Sequence, residues 1–254
     1  MAEAVRAARR AQGLDWADRS TWADTLRGAD AAYLVYPSDV GAPDAPGAVG
    51  PLAREAVGLG VLLSSRGEER ARPTEEAPRG SGADWRVARA AWFAQNFSEG
   101  PLVAGLRESG ELVFPAGDVR EPPPTASRAW EVPPIDVRDI ADVAAVTAGD
   151  RYAGQAVTMS GPRLLSFGEA VAEISAAAGR ALTYRAVSAR QYGGDPAGFG
   201  VPDGEVEFLV ELFESLLDGR NSHLSDGVQQ VLGREPRDFS EFAREASAAG
   251  VRKV

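Results

Sequence analysis

The sequence predicts an α/β protein, with a doubly wound parallel sheet followed by a smaller C-terminal α+β domain. Over residues 1–160, short apolar runs alternate with amphipathic stretches, which is typical of the strand–helix–strand units of parallel sheets. Beyond that point the chain becomes helix-rich, so we predict a second domain over residues 161–254. A chain of 254 residues with 44% hydrophobic content can bury the core that both domains need.

The N-terminal part of the chain predicts two strands and a helix. A short strand is expected over residues 4–8, and a helix over residues 21–27 is expected to be capped by Ser20 and ended by Gly28. The uninterrupted apolar run at residues 31–35 predicts a strand buried on both faces.

The following stretch is punctuated by proline and glycine. Residues 40–50 predict a loop, and residues 51–58 a helix with proline in its first turn. The charged segment 66–82 carries two prolines, so any helix in it is expected to be short and at the surface. Strands are predicted at residues 61–64, 85–91 and 112–115.

The remainder of the chain opens with a proline-rich segment. Residues 120–134 hold five prolines, which predicts an exposed inserted loop. Ser166 and Glu169 form the S-x-x-E pattern of a capping box at the start of a helix. Helices are predicted at residues 135–146, 166–178, 205–217, 225–232 and 238–248, and strands at residues 156–160 and 182–187.

Composition excludes several classes of chemistry. Without cysteine, and with His223 as the one histidine, neither a cysteine nucleophile nor a multi-histidine zinc site can form. A net charge of -10 argues against a nucleic-acid partner, and the glutamate runs at 68–69, 75–76 and 205–214 are interpreted as solvated faces. We found no membrane-spanning run or signal-peptide pattern, so a cytoplasmic location is expected.

The sheet is predicted to be incomplete at its N-terminus. Nothing ahead of residues 4–8 resembles a first strand followed by a glycine-rich turn, so residues 4–8 correspond to a second strand. A downstream start position, a truncated chain and a natural shortening all remain open explanations.

Eight segments, taken together in order, resemble the NmrA-like proteins of the atypical short-chain dehydrogenase/reductase group. They are VRAARR, LDWADRSTWADTLRGADAAYLVYP, LLSSRGEE, AAWFAQNFSEG, PAGDVREP, DVRDIADVAAV, AGQAVTMSGPRLLSF and DGVQQVLGREPRDFSEFA. The resemblance implies a Rossmann-like NAD(P)-binding domain, a small C-terminal domain over the ligand, and NADP(H) as the cofactor. The family's G-x-x-G-x-x-G turn has no counterpart here, which puts cofactor binding by this chain alone in doubt.

The resemblance also suggests cofactor-binding residues. Arg9 and Arg10 match the position of a cation that meets the 2′-phosphate of NADP, although a solvated basic pair is the alternative. Asp15 and Trp16 match the adenine pocket, while Trp16 could equally be packed in the core. Further candidates follow two strands of the sheet, where ligands bind in open parallel sheets: Tyr36, Pro37, Ser64 and Ser65.

Trp92, Phe93 and Asn96 resemble the family's segment that faces the nicotinamide and the substrate, with packing in the core as the alternative. A Tyr-x-x-x-Lys pair cannot form, because Lys253 is the one lysine, so water or a hydroxyl such as that of Tyr36 would have to donate the proton. The resemblance therefore implies an NADPH-dependent reductase of quinones or other small carbonyl compounds with a degraded cofactor site, and a homo-oligomer is a further expectation. A non-catalytic, redox-sensing regulator and a biosynthetic enzyme with non-redox chemistry are the alternatives.

Overall fold

The computed structural model describes residues 14–37, 39–55, 59–82, 84–99, 101–115, 131–188, 191–192 and 203–251. The chain forms two compact units, each assembled from three separate stretches. Unit 1 takes the stretches Met1–Ala90, Ile140–Met159 and Gly227–Arg234, and unit 2 takes Ala91–Asp139, Ser160–Asp226 and Glu235–Val254. The division into residues 1–160 and 161–254 stays a prediction.

All strand pairs in the described residues are parallel, which confirms the predicted α/β class. The strands are β1 (Ala31–Leu34), β2 (Leu59–Ser65), β3 (Asp84–Ala90), β4 (Glu111–Phe114), β5 (Ala156–Met159) and β6 (Thr183–Ala186). Unit 1 holds a four-stranded sheet in the order β1-β2-β3-β5, and unit 2 holds the pair β4-β6.

Helices cover the connections between the strands. They are α1 (Trp22–Leu26), α2 (Ala45–Glu55), α3 (Arg72–Glu76), α4 (Pro101–Glu108), α5 (Val137–Thr147), α6 (Phe167–Ala178), α7 (Asp203–Leu216), α8 (Gly227–Leu232) and α9 (Phe239–Ala246). None of the helices in the described part of the chain is both long and apolar enough to cross a membrane.

The core of unit 1 depends on close approaches to glycine. A Cβ at Gly60 of β2 would lie 2.4 Å from the ring of Trp85, so this ring packs directly on the backbone of the neighbouring strand. A Cβ at Gly227 would lie 2.2 Å from the carbonyl oxygen of Thr158, so α8 begins in contact with β5. Buried side chains around the first of these contacts form one cluster: Trp22, Leu34, Val49, Leu52, Ala53, Leu62 and Trp85.

The core of unit 2 is rich in aromatic rings. Phe114 of β4 stacks on Phe167 of α6 with ring centroids 4.7 Å apart, and Phe97 lies edge-on to Phe239 of α9 at 5.3 Å. Helix α6 begins at the predicted capping box: Ser166 accepts the N–H of Glu169, whose carboxylate accepts the N–H of Ser166. This local prediction is confirmed.

Several local predictions were wrong. The segment 120–134 was expected to be an exposed loop, but Val132, Pro133 and Pro134 are buried, and residues 120–130 lie outside the described residues. Asp18, not Ser20, caps the turn that leads into α1, because its carboxylate accepts the N–H of Ser20. Helix α2 begins at Ala45, inside the predicted loop, since burial of residues such as Val49 and Leu52 outweighs the proline and glycine content. Strand β1 is exposed at Ala31 and Tyr33 instead of buried on both faces, because it has one neighbour in the described sheet.

Candidate functional site

The carboxyl ends of β1 and β2 lie at the same edge of the unit 1 sheet. The two strands are parallel and pair from Ala31 with Leu59 to Leu34 with Leu62. The predicted residues Tyr36 and Pro37 follow β1 after one residue, and Ser64 and Ser65 end β2. The register therefore brings these two predicted groups to one edge, where open parallel sheets bind ligands.

A short turn before α1 places Trp16 at this edge. The ring of Trp16 lies edge-on to the ring of Tyr36, with centroids 5.2 Å apart, and 6.5 Å from the ring of Trp22. The Asp15 carboxylate accepts the N–H of Ala17, and the carbonyl of Asp15 accepts the indole N–H of Trp22 at 2.7 Å. Asp15 thus stabilises the turn, and Trp16 is half-buried between the core and the edge.

The hydroxyl of Tyr36 donates a hydrogen bond of 2.8 Å to the carboxylate of Asp44, in the loop before α2. Burial raises the pKa of Tyr36, and the hydrogen bond and charge of Asp44 raise it further. Since a higher pKa makes the phenol a weaker acid, Asp44 acts in the opposite sense to the lysine of a Tyr-x-x-x-Lys pair. Pro37, the next residue, is exposed.

The hydroxyl of Ser64 is engaged inside unit 1. It donates a 2.6 Å hydrogen bond to Glu75 of α3, whose carboxylate also receives two hydrogen bonds from Arg89 of β3. Glu75 is 6% exposed, and the side chain of Arg89 is 31% exposed. The paired carboxylate therefore joins the ends of β2 and β3 to the helix beside them.

The turn after β2 carries further buried charge. Ser65 is half-buried at the last position of the strand, and Arg66 and Glu68 are buried immediately after it. Burial lowers the pKa of Arg66 to about 10. The interpretation of residues 68–69 and 75–76 as solvated faces was wrong for one member of each pair, since Glu68 and Glu75 are buried and Glu69 and Glu76 are exposed.

The predicted substrate-facing residues belong to unit 2. The ring of Trp92 lies 5.3 Å from that of Phe167 and 5.5 Å from that of Phe114, although its buried indole N–H has no hydrogen-bond partner among the described residues. Phe93 pairs through its backbone with Ile135, and Asn96 lies in the 3₁₀ turn that follows; both are half-buried. The predicted phosphate ligands Arg9 and Arg10 lie outside the described residues.

Sequence reasoning missed Asp44, Glu75 and Arg89. Asp44 could have been noticed from its position one residue before α2, where its carboxylate can reach the hydroxyl of Tyr36 after β1. Glu75 and Arg89 follow from the strand register, because Arg89 of β3 lies directly beside Ser64 of β2. An arginine at the end of a buried strand needs a carboxylate, and α3, which precedes β3 in the chain, carries two glutamates.

Curated relatives match most of the chain, whereas no family model matches it. The prestalk A differentiation protein A of Dictyostelium discoideum is 26% identical over 239 residues, 91% of this chain and 74% of that protein. The NAD(P)H azoreductase of Xenophilus azovorans is 32% identical over 170 residues, 66% of this chain. The chain spans 55% of the length of that azoreductase.

Solved structures share the fold. The NADPH-dependent quinone oxidoreductase QOR2 of Escherichia coli, in complex with NADPH, matches with a TM-score of 0.68 and 19% identity, over 91% of this chain and 81% of that one. The negative transcriptional regulator NmrA, in complex with NAD, matches with a TM-score of 0.63 and 17% identity, over 91% of this chain and 78% of that one. The predicted Rossmann-like fold is confirmed, and the resemblance to NmrA holds at the level of the fold.

Proposed function

We propose that this chain, which has the fold of the NmrA-like atypical short-chain dehydrogenases/reductases, is an NADPH-dependent reductase of quinones or other small carbonyl compounds. The observation that carries the proposal is the pair of rings, Trp16 and Tyr36, at the carboxyl edge of a parallel sheet. Relatives that include an NAD(P)H azoreductase support the same chemistry.

The described residues fit the adenine part of the cofactor. The half-buried indole of Trp16, which packs on Tyr36 just after β1, offers a planar apolar surface for a base. The guanidinium groups of Arg89 and Arg66 are not placed to bind a phosphate, because Arg89 donates its hydrogen bonds to Glu75 and Arg66 is buried. We therefore assign the 2′-phosphate to Arg9 and Arg10, as the family resemblance implies.

NADPH supplies the hydride when it is bound, and the chain supplies orientation and the apolar surroundings. Trp16 is proposed to hold the adenine end. Because the Tyr36 phenol is bonded to Asp44 and its pKa is raised, we propose that water delivers the proton to the reduced carbonyl oxygen.

The proposal is tested by titrating the protein with NADPH while following the fluorescence of its five tryptophans. We expect saturable quenching, and we expect Trp16→Leu to weaken binding about fivefold, because a stacked ring contributes about 1 kcal/mol beyond its buried area. Tyr33→Leu is the matched control, since it removes an exposed ring from the same strand region. No saturable quenching, or equal effects of both variants, would contradict the cofactor assignment.

Reductase activity requires a second measurement. With a panel of quinones, the wild-type protein is expected to oxidise NADPH steadily, in proportion to enzyme concentration. NADPH binding without any oxidation across the panel would instead favour a non-catalytic, redox-sensing regulator. The negative transcriptional regulator NmrA, solved with NAD, shares the fold.

A further inference from the structure

The carboxyl group of Glu68 is enclosed in unit 1. Glu68 lies three residues after the end of β2 and is 5% exposed. Neither of its carboxylate oxygens has a hydrogen-bond partner within the described part of the chain. A buried carboxylate in this position is costly when it is ionised, and a proton on it removes much of that cost.

The surroundings of this carboxyl belong to the loop between β1 and α2. A Cβ at Gly41 would lie 1.8 Å from Oε1 of Glu68, so the carboxyl packs directly on the loop backbone. Asp39 of the same loop lies within hydrogen-bonding reach of Glu68, and its own Oδ1 accepts the N–H of Gly41 at 2.7 Å. Thr74 of α3 donates to the carbonyl of Val40 at 2.7 Å, which joins the same two segments again.

Two carboxyl groups in contact cannot both be ionised at low cost. Because the Asp39 carboxylate already accepts a backbone N–H, the proton belongs on Glu68, which then becomes the missing donor. We propose that Glu68 and Asp39 share one proton, and that this proton fastens the loop of residues 39–44 to the turn after β2. Loss of the proton at alkaline pH places two negative charges in contact and loosens the loop.

The other groups around Glu68 allow this change near physiological pH. Burial first, and then the contact with the carboxyl group of Asp39, raise the pKa of Glu68 to about 8. The hydroxyl of Ser65 and the charge of Arg70 act in the opposite direction. We call the shared proton between Glu68 and Asp39 the latch. The loop that it holds ends in Asp44, the hydrogen-bond partner of Tyr36, so the latch also fixes the position of Tyr36 at the carboxyl edge of the sheet. An effect on NADPH affinity would rest on the proposed function, whereas the latch itself does not.

Hydrogen exchange of the loop amides tests the latch without any cofactor. The N–H groups of Gly41 and Ala42 bond to Asp39, so their protection reports on the closed loop. After correction for intrinsic exchange, we expect wild-type protection to fall at least about fivefold between about pH 7 and about pH 9. We expect Glu68→Gln to keep full protection over the same range, because its neutral amide donates to Asp39 without titrating.

Glu76→Gln is the matched control, since it removes an exposed glutamate from α3 and is expected to behave as the wild type. Asp39→Asn is the second variant, to be used also if Glu68→Gln fails to fold. It removes the other carboxyl and should likewise abolish the alkaline loss of protection. Wild-type protection that is independent of pH, or an alkaline loss that persists in both variants, overturns the proposal. Failure of NADPH to bind would leave this result unchanged, so the two proposals fail separately.

Discussion

The ion pair between Glu75 and Arg89 is predicted to be a major source of stability in unit 1. Glu75→Gln keeps the size of the side chain and removes its charge. The change leaves the guanidinium of Arg89 without its counterion and places an amide donor against the donors of Arg89 or of Ser64. The free energy of unfolding is therefore expected to fall.

The size of the loss follows from the burial of the two partners. Breaking a buried ion pair by removing one partner costs about 3–5 kcal/mol. We expect about 3 kcal/mol, at the lower end, because the side chain of Arg89 is 31% exposed and can be partly rehydrated. Replacing both partners, as in Glu75→Leu with Arg89→Leu, is expected to cost less than the single change, since no uncompensated charge remains buried.

Urea unfolding at neutral pH and fixed salt, followed by tryptophan fluorescence, measures the effect. With a slope of about 3 kcal/mol/M, the expected loss lowers the midpoint by about 1 M. The control is Glu69→Gln, which breaks an ion pair with Arg72 whose side chains are 62% and 64% exposed and is expected to cost at most about 1 kcal/mol. A loss of under about 1 kcal/mol for Glu75→Gln, or a double variant less stable than the single one, would refute the reasoning.

Three further predictions follow from contacts described above. Gly60→Ala is expected to lower the free energy of unfolding by about 1–3 kcal/mol in the same urea assay, because the new methyl would lie 2.4 Å from the Trp85 ring; an unchanged midpoint would contradict this packing. Ser166→Ala is expected to cost about 1 kcal/mol through loss of the helix cap, with Ser166→Thr as the conservative control that retains most of it; equal losses in the two variants would argue against the cap. Hydrogen bonds from Arg163 hold the pKa of Asp238 well below its usual value, so their stabilisation is present above about pH 4 and is lost as the pH falls further. The free energies of unfolding of wild type and Arg163→Gln should therefore differ above that pH and converge below it. A difference that is independent of pH would be inconsistent with the assignment.

Features set by neighbouring residues were predictable from the sequence. The capping box at Ser166 and Glu169 needs a four-residue pattern, and the apolar runs of β2 and β3 identify buried strands within one or two residues. Helix α2 was misplaced because the loop-like composition of its first turns is local, whereas the burial that stabilises it is tertiary.

The site was only partly predictable for the same reason. The positions of Tyr36 and Ser64 at strand ends could be inferred from the sequence, but their hydroxyl partners could not. Ser64 bonds to a glutamate eleven residues later, which is itself buried because an arginine reaches it from β3. A run of two glutamates does not reveal which one is buried, because that depends on the helix orientation against the sheet.

The contact of α8 with β5 has a consequence for how the polypeptide matures. Unit 1 receives its last piece from Gly227–Arg234, where Arg234 also forms an ion pair with Asp142. This helix follows β5 by more than sixty residues, so β5 leaves the ribosome well before the helix that packs on it has been synthesised. Until then a nascent chain exposes the backbone of β5 that Gly227 later covers, so unit 1 cannot be completed as its strands are synthesised.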